Sequence, residues 1–274
     1  MSPATVIFVH VGRTGGTTLA RIAERQYRRR ETFSFASRGT DDGLEPFRRL
    51  PAEQRKRFRL IKGHMPFGVH EFVPGPSTYI TLFRHPVDRV ISYYYYAVSR
   101  PSHRLHREIT GRGITFEQFM AAEMTVEVDN WQTRSLSGRT SVPYGRCGRD
   151  MLDLARQNLD TYFSVVGLTD RFDETLVLLG QTLGWRRLLY ATENALRARP
   201  SRIELPEHVL AVVAAQNAFD LALYSYAEQR FERAIASLPE FARDLARFRA
   251  RNALYQPWAR LHIATVEWKQ RVWH

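Results

Sequence analysis

The stretch TVIFVHVGRTGGTTL, residues 5–19, does most to limit what this chain can fold into. A β-branched and aromatic run bounded by glycine predicts a buried strand over TVIFVHV. Thr17 to about Arg29 then has the pattern of a helix. A strand, a glycine turn and a helix in that order make an anion cradle. Glycine lets the backbone approach closely, successive N–H groups point inward, and the helix N-terminus adds partial positive charge. Gly12, Gly15 and Gly16 would shape the turn, and Thr17 and Thr18 would add hydroxyl donors. A Walker A loop is excluded: Gly12 and Gly16 are one residue too close, and no lysine follows Gly16. A plain strand–helix turn capped by threonines stays open as the alternative.

The same alternation continues along the chain. RFRLIKG (57–63), STYITLF (77–83) and YFSVVGL (162–168) read as strands. Pro86 suits the first position of a helix through VDRVISYYYYAV. TFEQFMAAE predicts a helix capped by Thr115, and helical character continues through DNWQTRSL. Phe172, Leu176, Leu179 and Leu183 fall at 3–4 spacing, the stripe of an amphipathic helix. Residues 32–51 and 100–114 read as loop, and the chain from Pro206 onward reads as helical. Strands alternating with helices predict an α/β class: a P-loop-like three-layer fold with four or five parallel strands flanked by helices. We expect one domain over 1–274, with an α/β core to residue 185 and a mainly helical part from 186 to 274.

The formal net charge of +12 favours anionic partners such as nucleotides or acidic glycans. Lysine occurs only at positions 56, 62 and 269, so arginine supplies 37 of the 40 basic residues. Cys147 is the single cysteine, which rules out an intrachain disulfide and a thiol-rich metal site. No segment approaches the roughly 20 apolar residues of a membrane span, and no secretory signal opens the chain. We therefore expect a soluble, cytoplasmic protein, with peripheral membrane contact left open.

A second basic cluster, RHPVDRVISYYYY, follows the strand at 77–83. Binding residues in a parallel sheet gather beyond the carboxyl ends of strands, where Arg84 lies. A magnesium-dependent kinase would want an aspartate there; an arginine suits a second phosphate. Arg84 and Ser92 are eight residues apart, about two helical turns, so the fold would have to bring them together.

FVHVGRTGGTTL together with RHPVDRVISYYY resembles the sulfotransferase family, in the branch of the heparan sulfate 2-O- and 6-O-sulfotransferases and their bacterial relatives. The first stretch resembles the family's 5′-phosphosulfate loop, H-x-P-K-T-G-G-T-[ST]. The second resembles its 3′-phosphate motif, R-x-P-x-x-R-x-x-S-x-[YF]. DNWQTRSLSG, VVGLTDRFDETLVLLGQTLGW and NAFDLALYSYAEQRFE match in the same order. The resemblance covers about residues 5–235. It implies 3′-phosphoadenosine 5′-phosphosulfate (PAPS) as donor, adenosine 3′,5′-bisphosphate (PAP) as product, no metal, and a glycan or other hydroxyl-bearing acceptor. It implies that Arg13, Thr14, Gly15, Gly16, Thr17 and Thr18 hold the phosphosulfate, and that Arg84 and Ser92 hold the 3′-phosphate. The usual proline is Gly12 here, and the usual lysine is Arg13, which keeps the charge but is bulkier and reaches differently.

An acceptor hydroxyl needs a base as it attacks, and histidine suits neutral pH. In IKGHMPFGVHEF the resemblance favours His64 as that base, with His70 in reserve; His10 reads as supporting. His70 and Arg134 are also candidates for contact with the acceptor, Arg134 equally for a salt bridge. Two other readings compete: a P-loop-like small-molecule or nucleotide kinase, and a non-catalytic polyanion-binding protein. No specific nucleic-acid-binding signature is present. The C-terminal YQPWARLHIATVEWKQRVWH reads as a helix packed on the body, or as a surface contact.

Overall fold

The computed structural model describes residues 4–35, 44–191 and 204–272. Five strands form one sheet: β1 (Thr5–Val9), β2 (Thr32–Ser34), β3 (Leu60–Gly63), β4 (Ser77–Phe83) and β5 (Phe163–Leu168). Their order is β2-β3-β1-β4-β5, and all neighbours run parallel. β1 is buried along its whole length, as a central strand covered on both faces must be. β2 is a three-residue strand in the polar segment read above as loop.

Helices flank the sheet. After β1 comes α1 (Gly16–Glu24), and the short α2 (Glu45–Arg48) and α3 (Ala52–Arg55) precede β3. Between β4 and β5 lie α4 (Pro86–Ser99), α5 (His106–Gly111), α6 (Phe116–Ala121), α7 (Trp131–Ser137) and α8 (Arg149–Tyr162). Beyond β5 follow α9 (Phe172–Leu183), α10 (Glu207–Gln216), α11 (Ala218–Ala236) and α12 (Phe241–Val272). Pro86 stands at the head of α4, and Thr115 caps α6 in a reciprocal capping box with Gln118, both as the residue types require. The short α5 interrupts the segment read as loop.

Two apolar clusters hold the molecule. The larger surrounds the sheet, with Ile7, Phe8, Leu19, Ile22, Ile80, Phe83 and Leu176 at its centre. The smaller lies under α4, where Val90, Ile91, Tyr93 and Tyr94 meet Ile109, Phe119, Met120 and Val213. The tyrosine run of α4 is thereby divided. Tyr93 and Tyr94 are core, and the Tyr94 hydroxyl donates to the Ile114 carbonyl at 2.6 Å. Tyr95 and Tyr96 are half-buried.

Among the described residues no single helix is long and apolar enough to cross a membrane; α10 and α11 together pass by length and composition but meet at 81°. The C-terminal segment is helical as far as Val272, but what its side chains touch beyond Ala259 lies outside the described residues.

Candidate active site

β1 sits where the chain moves first to one side of the sheet and then to the other. Such a switch point opens a crevice beyond the carboxyl ends of the strands. The residues directly following four adjacent strands are His64, His10, Arg84 and Thr169, after β3, β1, β4 and β5 respectively. One edge of the sheet thus carries two imidazoles, a guanidinium and a hydroxyl in a row.

The glycine turn closes this edge. Arg13 and Gly15 have positive φ, 71° and 76°, and α1 starts without a side-chain cap on its first N–H groups. Gly15 and Thr17 are exposed at this helix start, an arrangement suited to an anion. The Thr14 side chain turns inward instead: it is fully buried, and its hydroxyl donates to the Val11 carbonyl at 2.8 Å. Thr169 ties the turn to the sheet, its Oγ1 lying 2.6 Å from the Thr14 carbonyl and 2.8 Å from that of Phe83.

The two strand-end histidines stack at 4.2 Å between ring centroids. Gly16 is what permits this: a Cβ there would lie 2.0 Å from Cδ2 of the His10 ring. His10 is therefore wedged between the loop and His64. Burial, with His64, Lys62 and Arg13 nearby, lowers its pKa to about 3, so it is a neutral spacer at any ordinary pH. His64 has an exposed surface, yet protein surrounds it closely enough that burial lowers its pKa as well. The His10 carbonyl and the carboxylate of Glu127 act in the opposite sense, favouring the imidazolium.

Arg13 joins the two basic clusters. Its Nε and Nη2 donate to Ser92 Oγ at 3.2 and 3.1 Å, and its guanidinium lies 4.1 Å from the centre of the Tyr96 ring. Arg84 Nη1 donates to the Arg13 carbonyl at 3.3 Å. Arg84 and Ser92, two turns apart in sequence, are thus brought to one place through Arg13. Ser92 is fully buried, and Arg13 is bonded to its hydroxyl.

A polar network fixes Arg84 from behind. The Gln132 amide bonds both backbone groups of Arg84, accepting from its N–H at 3.1 Å and donating to its carbonyl at 3.0 Å. The Gln132 and Thr133 N–H groups, at the start of α7, donate to Asp220 on α11 at 3.1 and 2.7 Å. Asn130 and Asn217 dock these two helix starts: Asn130 N–H donates to Asn217 Oδ1 at 3.1 Å, and Asp220 N–H to Asn130 Oδ1 at 3.0 Å. Arg89 is buried nearby, donating to the Glu127 carbonyl at 2.5 Å. The sequence reading noted these stretches as motifs but assigned Gln132, Asp220 and Thr169 no part. The signal was present for Thr169, a hydroxyl directly after a predicted strand.

Two residues offered above for contact with an acceptor are held by bonds within the fold. Arg134 is fully buried; it pairs with Asp129 and donates to the carbonyls of Asp129, Val142 and Pro143, so it braces the loop after α7. His70 lies back from the edge. Its Nδ1 is 2.9 Å from the Tyr79 hydroxyl, its ring packs against Tyr162 and Phe67, and Tyr79 is four residues short of the end of β4. Asp129 and backbone carbonyls hold Arg134, whereas aromatic rings hold His70.

Among the described residues no three His, Cys, Asp or Glu side chains gather as a metal site requires. Compared with known proteins, residues 2–257 match the family model described as galactose-3-O-sulfotransferase. The chain belongs to the galactose-3-O-sulfotransferase family. Galactose-3-O-sulfotransferase 3 of Bos taurus is 27% identical over 259 residues, covering 85% of this chain and 58% of the relative. The Homo sapiens protein of the same name is 27% identical over 258 residues. A heparin sulfate O-sulfotransferase of Drosophila melanogaster is 27% identical over 188 residues, 63% of this chain and 54% of its own length. The chain thus spans less than three-fifths of the curated relatives it matches. The expected heparan sulfate 2-O/6-O branch is corrected accordingly: the match along nearly the whole chain is to the galactose-3-O-sulfotransferase family. The solved structure of mouse sulfotransferase SULT7A1 complexed with PAP overlaps 96% of this chain and 88% of its own, with a TM-score of 0.41 and 14% identity. A sulfotransferase from Alicyclobacillus acidocaldarius overlaps 81% and 97%, with a TM-score of 0.40 and 15% identity.

Proposed function

We propose that this protein is a PAPS-dependent sulfotransferase acting on a hydroxyl of a glycan-type acceptor. The observation that carries the reading is the placement of His64, stacked on the imidazole that Gly16 admits to the head of α1. A candidate base and an uncapped anion cradle share one edge of the sheet.

The residues fit the donor. A nucleotide charged at both ends needs two cationic loci. The glycine turn with the first N–H groups of α1, from Gly15 to Thr18, suits the 5′-phosphosulfate, and Arg84 with Ser92 suits the 3′-phosphate. Thr14 contributes through its backbone, because its hydroxyl is committed to Val11. Arg13 lies between the loci and serves either. The donor supplies an activated sulfuryl group, and PAP is what remains. His64 takes the proton of the acceptor hydroxyl as its oxygen becomes the nucleophile. Glu127, whose field favours the imidazolium, supports that protonation. Arg13 and the loop N–H groups meet negative charge as it develops on the leaving phosphate oxygen. No divalent ion is assigned a part.

The relatives' names point to the 3-hydroxyl of a galactose as the acceptor group to test first. We further infer that residues 1–274 work as one unit, an α/β core to 185 with a helical part beyond. Asp220 of α11 and Asn217, the residue before it, support the segment that holds Arg84, which favours this division over two independent domains. The test is transfer of labelled sulfate from PAPS to a galactose-terminated oligosaccharide, in the presence of a chelator. Product from the wild type and none from His64→Ala supports the reading; turnover of ATP with magnesium in place of PAPS would move it to the kinase alternative.

A further inference from the structure

The far end of α1 carries a second cationic concavity. A cavity of about 460 Å³ is lined by Arg25, Gln26, Tyr27, Arg28, Glu31, Gly184, Arg186 and Arg187. α1 is nine residues long, about 13 Å, so this cavity lies a helix length away from the glycine turn. Its wall is built from two elements. The Gln26 amide donates to the Arg187 carbonyl at 3.2 Å and accepts from the Arg186 N–H at 3.1 Å. Beneath it, the buried Trp185 donates to the Tyr27 hydroxyl at 3.2 Å. These bonds fix the segment after α9 against the end of α1, so four arginines from two elements line one hollow.

All four arginines are exposed, and none is ion-paired to a described residue. The one acid of the lining, Glu31, accepts the Arg28 backbone N–H at 3.1 Å and so caps its own turn. Arg25 and Arg28 alone would be an ordinary complement to the negative end of a helix. Arg186 and Arg187 do not belong to that helix, and their arrival leaves the hollow with a large excess of positive charge. Guanidinium forks match sulfate and carboxylate oxygens in pairs. The hollow is open to solvent and large enough to take a charged sugar unit of a longer chain.

We propose that this cavity is a second binding site, separate from the donor edge, for a segment of an acidic glycan bearing two or more sulfate or carboxylate groups. The choice of a glycan rests on the transferase reading; the anionic chemistry of the ligand does not. Bound there, such a chain would be held by the protein independently of the sugar being modified.

The test uses the full chain, with PAP present to occupy the donor edge, and titrates a sulfated tetrasaccharide and its desulfated counterpart. The wild type should bind the sulfated probe with an affinity that falls as salt rises. The double variant Arg186→Ser/Arg187→Ser, and separately Arg25→Ser/Arg28→Ser, should each weaken that binding by about tenfold or more. Removing the same charge elsewhere, by Arg243→Ser/Arg247→Ser, should leave it unchanged, and PAP affinity should be the same in all. Equal loss in the control variant, no loss in either pocket variant, or equal binding of the desulfated probe overturns the proposal. So does binding to phosphatidylserine vesicles that depends on these arginines while the tetrasaccharide fails to bind. Failure of PAP itself to bind would count against the transferase reading and leave the comparison of pocket variants intact.

Discussion

At the scale of single residues the account turns on two stacked imidazoles with different tasks. His64 is reachable and His10 is wedged, and only the first can exchange a proton with a ligand. His64→Ala should lower turnover by a factor of about 10²–10⁴, the usual worth of a general base, while PAP binding measured by calorimetry stays unchanged. Near-normal turnover in that variant would remove His64 from the mechanism. The neutral imidazole is the active form, and burial lowers its pKa from 6.5. The acid limb of the kcat/KM profile should therefore lie below pH 6.5; a limb above that value contradicts the assignment. His10 leaves a separate mark on stability. The folded state binds its proton only near pH 3, whereas the unfolded chain binds it near 6.5. Folding stability due to His10 is thus present above pH 6.5 and is lost as pH falls from there toward 3. Melting temperatures over that range should fall less steeply in His10→Asn than in the wild type.

At the scale of elements, the turn and the helix starts decide whether the edge is assembled. Gly16→Ala puts a methyl group into the His10 ring. It should displace both histidines and reduce PAP affinity and turnover together, whereas Gly12→Ala, with nothing within 4 Å of the added carbon, should do neither. Asp220 holds the start of α7 and faces the buried Arg89. Asp220→Asn weakens the acceptor of two buried N–H groups and removes one of the two carboxylates acting on that guanidinium, and should cost about 1–3 kcal/mol in denaturant unfolding. Much of this architecture was legible from pattern. β4 and the start of α4 fall where the β-branched run and Pro86 put them, because buried parallel strands and helix starts carry strong local signals. β2 was not legible: three residues, none of them buried, have no apolar period to read. α8 escaped for a related reason. Its buried residues Met151, Leu152, Ala155 and Leu159 are spaced for a helix but sit among seven charged or amide side chains that mask the stripe.

At the scale of the whole molecule, the site is a product of topology more than of any one motif. His10 and His64 are 54 positions apart in the chain, and parallel pairing of β1 with β3, register Val9 to Gly63, sets them side by side. Arg84 and Thr169 join the row through β4 and β5 in the same way. The sequence named His64, Arg13, Arg84 and Ser92, but the direct bond from Arg13 to Ser92 and the support of Arg84 by Gln132 depend on contacts across the fold. Composition gave no sign that Arg134 is buried or that His70 bonds Tyr79, since neither the partners of Arg134 nor the aromatic setting of His70 is local in pattern. The central claim is that the strand-end row grips a nucleotide charged at both ends, without a divalent ion. Calorimetric titration of PAP in the presence of a chelator tests it most directly, with wild type beside Arg84→Ala. The account predicts binding by the wild type that weakens by about tenfold or more in the variant. No binding of PAP by the wild type, or binding of ATP only when magnesium is restored, would contradict it.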